Sequence, residues 1–312
     1  VSGADRTLRA LAPGKVNLGL FVGPPRAEDS RHELLSVMQS ISLADEVTLQ
    51  AAPSDVGSDL LECPGVVGPV EQNLALLALG EFRRRTGWDA PPRLLRIAKR
   101  IPVAAGLGGG SADAAAVLRL AHAASGLGDR ALLLDIAAGL GADVPAQVQP
   151  GRWLARGAGG RLQALPAPRV PFGILIVPAA FELATAAVYA EADRLGLLRS
   201  HGELAQTAAE LAGALEHGAP LPAAGELLHN DLQRAAVSLR PEIAETLRRV
   251  RSTGANPVMV SGSGPTVLGL FARPAEEGPA LAQLAARALG ERRPAALCAV
   301  PVEAAFGEVH EP

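Results

Sequence analysis

Aromatic residues are nearly missing from this 312-residue chain: they make up 3% of it and Tyr189 is the only tyrosine, so the core has to be filled by Leu, Val and Ala. Cysteine is almost as rare. Cys63 and Cys298 lie far apart and form no CxxC pair, which leaves no disulfide framework or thiolate metal site and points to a reduced cytoplasmic protein. No apolar run approaches the ~20 residues that a membrane span requires. Residues 1–22 hold Lys15 and Asn17 within their apolar part and lack a signal-peptide layout, so neither membrane nor export is expected. Charge of one sign is not in excess either. A net charge of −3 offers no broad positive field, which argues against a nucleic-acid partner and leaves capture of a charged substrate to a local pocket.

Several familiar catalytic signatures are absent too. No Gly-Lys-Ser/Thr follows the glycine-rich stretch at 106–110, so it is not a Walker A loop, and Ser111 stands where the dinucleotide fingerprint needs its third glycine. Asp113 occupies the last position of what would otherwise be a Gly-x-Ser-x-Gly elbow around Ser111. His32-Glu33-Leu34-Leu35-Ser36 lacks the second histidine of a zinc-protease helix.

What is present reads as mixed structure. Val16, Leu18, Leu20 and Val22 alternate with Lys15, Asn17, Gly19 and Phe21, a period of two that predicts a strand with one buried face and sets Lys15 and Asn17 on the other. Glu46–Leu49, Leu94–Ile101 and Phe172–Val177 read as further strands, Leu74–Arg85 and Arg130–Gly139 as helices. Residues 256–272 predict a hairpin across a Gly/Ser turn. Gly-rich Arg156–Gly160 and Pro-rich Leu165–Pro171 read as loops, with a domain boundary between them, and Thr185–Gly225 as mostly Ala-rich helix. Without a strict βαβ rhythm the class is α+β, in two domains, 1–164 and 165–312.

Gly106-Leu107-Gly108-Gly109-Gly110-Ser111 is the most informative segment. Its four glycines let backbone N–H groups approach a ligand closely, and an Ala-rich helix follows, with Ser111 as the expected N-cap and Asp113 in the first turn. Unpaired N–H groups and the positive end of the helix dipole favour an anion there, so the segment reads as a phosphate cradle.

Three segments in order, PGKVNLGL at 13–20, IPVAAGLGGGSADAA at 101–115 and VMVSGSGPTVLG at 258–269, resemble the three motifs of the GHMP kinases (galactokinase, homoserine kinase, mevalonate kinase and relatives). The resemblance runs from about Leu11 to about Phe271 and is poor over Thr185–Gly225. Gly141-Ala142-Asp143-Val144-Pro145, Arg31-His32-Glu33-Leu34 and Asn230-Asp231-Leu232 bring it nearest to members whose acceptor is the 2-hydroxyl of a diphosphocytidyl-linked methylerythritol. Homoserine kinases lack an equivalent of Asp143. The resemblance implies a two-lobed fold, an N-terminal lobe like ribosomal protein S5 domain 2 and a ferredoxin-like C-terminal lobe, and a monomeric or homodimeric cytoplasmic enzyme. It implies ATP and Mg2+ as cofactors and a small-molecule partner, with no protein metal ligands assigned.

The same resemblance implies roles. Asp143 is the general base and Lys15 its cationic partner; Asn73, Lys99, Gly106, Gly108, Gly109, Gly110 and Ser111 hold the nucleotide. Asn17, Arg31, His32 and the turn Ser261-Gly262-Ser263-Gly264 hold the acceptor, His32 reading the cytosine edge. Arg31 stands where the family commonly carries a tyrosine that stacks on cytosine, and a guanidinium plane at that place either stacks on the base or faces solvent. Ala146-Gln147 stand where two aromatics usually follow the DVP turn, and Ala112-Asp113 where Ser-Asn is usual. Another polyol or sugar acceptor, or a regulator that binds ATP without turnover, are the competing readings.

Overall fold

A computed structural model describes residues 6–170, 172–215, 227–272, 277–290 and 294–312; Pro171 of the Pro-rich loop, and 216–225 of the Ala-rich stretch, lie outside the described residues. The first half is built on a long antiparallel ribbon. β1 (Leu8–Pro25) and β2 (His32–Ala51) pair from Leu8 opposite Leu49 to Pro25 opposite His32, far beyond the short strands the sequence predicts. β2 is the spine of a six-stranded sheet. Its second edge takes β4 (Arg93–Ala98) opposite 46–51 and β5 (Arg152–Gly157) opposite 34–39, with β3 (Leu60–Glu62) and β6 (Arg161–Leu165) at the ends. Residues 40–42 of that edge are met by the C-terminal segment, where Ser42 N–H donates to Val300 O (2.8 Å) and Val302 N–H to Ser40 O (3.0 Å).

The alternation in β1 predicts one buried face, yet the structure buries both, Lys15 and Asn17 included. Register shifts between Pro13 and Lys15 and between Asn17 and Gly19 explain it. A bulge re-aims the residues that follow it, so Val16, Leu18 and Phe21 join one apolar cluster with Ile174 and Ile176, while Leu20 and Val22 join another with Val188 and Leu247.

Helices α1 (Leu74–Thr86), α2 (Gly109–Ser125), α3 (Arg130–Leu140) and α4 (Val144–Val148) pack with the outer half of the ribbon. α2 is the central helix. Its alanines at 112 and 114–116 are at most 1% exposed, and their small side chains let neighbouring helices and sheet approach closely. Gly108, not Ser111, is its N-cap: with φ at 69° and no side-chain cap, it starts the helix at Gly109 and carries Asp113 past the first turn into the interior.

The second half holds β7 (Gly173–Val177), α5 (Thr185–Arg194), α6 (His201–Leu215), α7 (Gln233–Leu239), α8 (Glu242–Arg251), β8 (Val258–Val260), β9 (Val267–Phe271), α9 (Gly278–Ala288) and β10 (Leu297–Ala299). The antiparallel order β10-β7-β9-β8, with helices following β7 and β9 along the chain, is ferredoxin-like. β8 and β9 form the expected hairpin around 261–266. The architecture is α+β. Among the described residues no helix is long and apolar enough to cross a membrane.

Candidate active site

The glycine-rich segment becomes a fixed loop because three elements hold its backbone. The bulge in β1 turns Lys15 N–H onto Leu107 O (2.8 Å), buried Gln147 of α4 donates its amide to Gly108 O (3.1 Å), and Thr266 Oγ1 at the head of β9 donates to Ala105 O (2.6 Å). Gly106 and Gly108 both have φ near 70°, where a side chain is strained, and a Cβ at Gly108 would sit 2.8 Å from Gln147 Nε2 and 3.0 Å from Lys15 Cγ. Glycine is required there by both conformation and space.

Two cavities meet at this loop. One, of about 360 Å³, is lined by Asn73, Lys99, Ile101 and the run from Pro102 to Ser111, so the predicted nucleotide residues lie together. Asn73 spends its side-chain oxygen capping α1 through Ala75 N–H (3.0 Å), which leaves its amino group as a donor. The other, of about 420 Å³, is lined by Lys15, Asn17, Ser36, Asp143, Tyr189, Gly262 and Ser263. Gly106, Gly108 and Ser111 line both, so the loop is the shared wall.

In the second cavity Lys15 Nζ lies 3.1 Å from Asp143 Oδ2 and donates to Asn17 Oδ1 (3.0 Å); Asn17 Nδ2 donates to Ser36 Oγ (2.7 Å), and Ser36 Oγ to Gly19 O (2.9 Å). This chain of bonds fixes the ammonium, which is 8% exposed, against a carboxylate that is 39% exposed and open to the cavity. Asp143 is placed by the turn that opens α4, where Pro145 sits in the first helical turn.

The acceptor residues divide. Gly262 and Ser263 line the cavity, Ser263 Oγ meeting Thr185 Oγ1 (2.9 Å), whereas buried Ser261 and Gly264 close the turn behind them through Gly264 N–H to Ser261 O (2.8 Å). Asn230 supports that turn by donating to Val260 O and Gly262 O (both 2.7 Å). His32 does not line the cavity: its Nε2 lies 2.9 Å from Asp193 Oδ1 on α5, and its ring stands 5.1 Å from that of Tyr189, which does. Arg31 is not part of this cavity: it is 66% exposed and its Nε donates to Asp29 Oδ2 (2.9 Å).

Tyr189 is the residue that sequence reading misses. It is 174 positions from Lys15, in a stretch read only as Ala-rich helix, and no local signal marks it. Burial, with Asp143 nearby, pushes its phenol up to about 12, so it stays neutral. Gln147, Ser36, Thr266 and Asp45 are missed for the same reason. Asp45 changes the reading of Lys99: Lys99 Nζ is held between Asp45 and Asp113 (2.7 Å to the latter), while Asp45 Oδ1 accepts from Arg100 N–H (2.6 Å) and Ile101 N–H (2.8 Å). Its charge is therefore spent on anchoring the root of the loop. Asp113 is pushed up to about 7, first by burial and further by Asp45, against the opposing pull of Lys99.

A glycine loop capping a buried helix, a Lys–Asp pair beside it and a ferredoxin-like second lobe define a small-molecule kinase. Residues 73–151 match the GHMP kinases N terminal domain and residues 208–292 the GHMP kinases C terminal domain. The chain belongs to the GHMP kinase family and is an ATP-dependent phosphotransferase. A 4-diphosphocytidyl-2-C-methyl-D-erythritol kinase of Anaeromyxobacter sp. (strain K) is 41% identical over 88% of this chain and 84% of that relative, and one of Streptomyces coelicolor is 43% identical over 81% and 84%. A crystal structure of 4-(cytidine 5'-diphospho)-2C-methyl-D-erythritol kinase superposes with a TM-score of 0.73 at 33% identity, covering 94% of this chain and 98% of that one.

Proposed function

We propose that this chain transfers the γ-phosphoryl group of ATP to the 2-hydroxyl of 4-diphosphocytidyl-2-C-methyl-D-erythritol, a cytoplasmic step of non-mevalonate isoprenoid synthesis. One observation carries the mechanism: the Lys15–Asp143 pair, 3.1 Å apart, stands in a cavity that shares the glycine loop with the nucleotide cavity. Backbone N–H groups of Gly106, Gly108, Gly109, Gly110 and Ser111 hold the ATP phosphates with the γ-phosphate turned toward that shared wall. Asp143 takes the proton of the attacking hydroxyl as the new O–P bond forms and the bond to the ADP oxygen breaks. Lys15 stabilises the negative charge on the attacking oxygen, and Asn17 keeps the ammonium in place. Tyr189 lines the cavity with His32 against its ring, so a cytosine stacks on the tyrosine with the imidazole close by, and Tyr189 rather than Arg31 supplies the stacking face.

Mg2+ fits without a protein cage. Among the described residues no group of three His, Cys, Asp or Glu side chains is placed to hold a metal, and Mg2+ is commonly held by one or two protein oxygens plus substrate phosphates. Ser111, a hydroxyl oxygen on the wall shared by the two cavities, would complete it and leave Asp143 as the base, and the ion would neutralise phosphate charge. We divide the chain at 164/165, a reading supported by the smaller sheet beginning at Gly173, with β6 of the larger sheet running one residue past the division to Leu165.

Incubation with Mg·ATP and a panel of acceptors tests the proposal. Release of ADP with the diphosphocytidyl alcohol supports it. Release only with another polyol or sugar replaces the acceptor, and no release with any acceptor leaves an ATP-binding regulator.

A further inference from the structure

A cavity of about 700 Å³ lies beside the acceptor cavity. Four arginines line it: Arg26 and Arg31 from the connection between β1 and β2, Arg156 and Arg161 from the β5–β6 hairpin. Ala142 and Ala158 line both this cleft and the acceptor cavity, so its wall runs directly into the turn that carries Asp143.

The guanidiniums converge rather than disperse. Gly157, at φ 73°, has no Cβ, and Arg26 Nη1 and Arg161 Nε approach the point where one would stand to 2.9 and 3.1 Å. Two like charges brought over one glycine repel each other unless an anion lies between them. The neighbouring carboxylates supply that anion only partly. Arg161 pairs with Glu33 (3.0 Å) and Arg31 with Asp29 (2.9 Å), both through arginines more than 60% exposed, and Arg26 Nε reaches Asp29 and Glu28 only at 3.4 and 3.6 Å. Exposed pairs of this kind contribute little, on the order of 0–1 kcal/mol, and exchange readily for a better acceptor. Arg156 Nε is buried without a hydrogen-bond partner, and Arg26 Nε is buried with only those two long ion-pair contacts. Buried donors left without acceptors are exceptional, and guanidiniums match phosphate oxygens in bidentate geometry.

We infer that this arginine cleft binds a diphosphate group. Four arginines spread around a cleft of this size reach farther than one phosphate and suit two linked phosphates. Two sources carry that chemistry: the diphosphate linkage of the acceptor, which rests on the function proposed above, or a free diphosphate ester acting on the enzyme.

The test is calorimetric titration of inorganic pyrophosphate into the full chain with its glycine loop filled by a non-hydrolysable ATP analogue. Wild-type protein binds, and the double variant Arg156→Gln, Arg161→Gln loses at least tenfold in affinity while keeping its melting temperature and its affinity for the analogue. The double Lys variant, which keeps the charge and loses the fork, falls between the two. No binding by wild type, or equal binding by the Gln variant, overturns the inference. Kinetics then separate the sources: a tenfold rise in acceptor KM with kcat and ATP KM unchanged places the acceptor's own linkage in the cleft, and an unmoved acceptor KM assigns it to a free diphosphate ester. Failure of wild type to phosphorylate the diphosphocytidyl alcohol would defeat the proposed function, while the titration still decides the cleft.

Discussion

Asp143 and Lys15 act as a pair only because a strand bulge and a helical turn bring them to 3.1 Å. Replacing Asp143 by Asn keeps the shape and removes the proton acceptor, so kcat is expected to fall by about 10²–10⁴-fold with ATP affinity nearly unchanged. Unaltered turnover in a steady-state assay would remove Asp143 from the mechanism. Tyr189 makes a different prediction. Tyr189→Leu takes away the aromatic face and is expected to raise the acceptor KM about tenfold, from roughly 1–3 kcal/mol of stacking, whereas Tyr189→Phe keeps the face and stays close to wild type; equal KM values in both variants would dismiss stacking. Asp113 reports on pH. The folded chain holds a proton on it up to about 7, which the unfolded chain releases near the ordinary value of 3.8. The native state thus binds more protons across that window, and this group's contribution to stability declines as pH rises from about 4 to 7. Asp113→Asn is expected to flatten that decline in urea titrations run across the same pH range, and an unchanged slope would count against it.

At the scale of elements, the loop and α2 work as one piece. Their position is set by Lys15 N–H, Gln147 and Thr266 from three other segments, so the amides to which the proposed function assigns the phosphates are held in place by the protein itself. Gly108 is the residue on which this depends. An alanine there is strained by a φ of 69° and drives its Cβ into Gln147 and Lys15. Gly108→Ala is expected to raise the ATP KM tenfold or more and to cost about 1–3 kcal/mol in stability, read by kinetics and thermal melting; a variant with native ATP KM would show that the loop tolerates displacement. Gly110, with only Leu74 Cδ1 at 3.9 Å from its Cβ position, has space for a methyl group and is the control.

At the scale of the whole molecule, the chain's end ties the two sheets together. Val300 and Val302 bond to the spine of the larger sheet directly after β10 of the smaller, and His310 exchanges two bonds with Arg9 (2.9 and 3.0 Å). Removing residues 300–312 strips these partners from buried Ser40 and its neighbours. At about 1 kcal/mol for each lost hydrogen bond the cost is roughly 3–5 kcal/mol, a Tm decrease of about 10 °C; a truncated chain that melts with wild type would show that the bridge carries no weight. The sheets also meet at the site, where Thr266 and Gly264 of one half abut Ala105 and Gly106 of the other.

From its residues alone the chain established its family and its α+β class, and it singled out the glycine loop, Lys15 and Asp143, which the structure brings together, because backbone geometry demands particular residues at short spacing. Helix α1, α3 and the β8–β9 hairpin were legible for the same local reason. The length of β1 and β2, the start of α2 at Gly109 and the burial of both faces of β1 were not, since bulges and pairing over thirty residues leave no local periodicity. The tertiary structure alone decided that Arg31 stands outside the acceptor cavity, that Tyr189 stands within it, and that Lys99 is held by Asp45 and Asp113. Those facts depend on which distant segments pack together, and packing between distant segments is written in the fold rather than in any stretch of neighbouring residues.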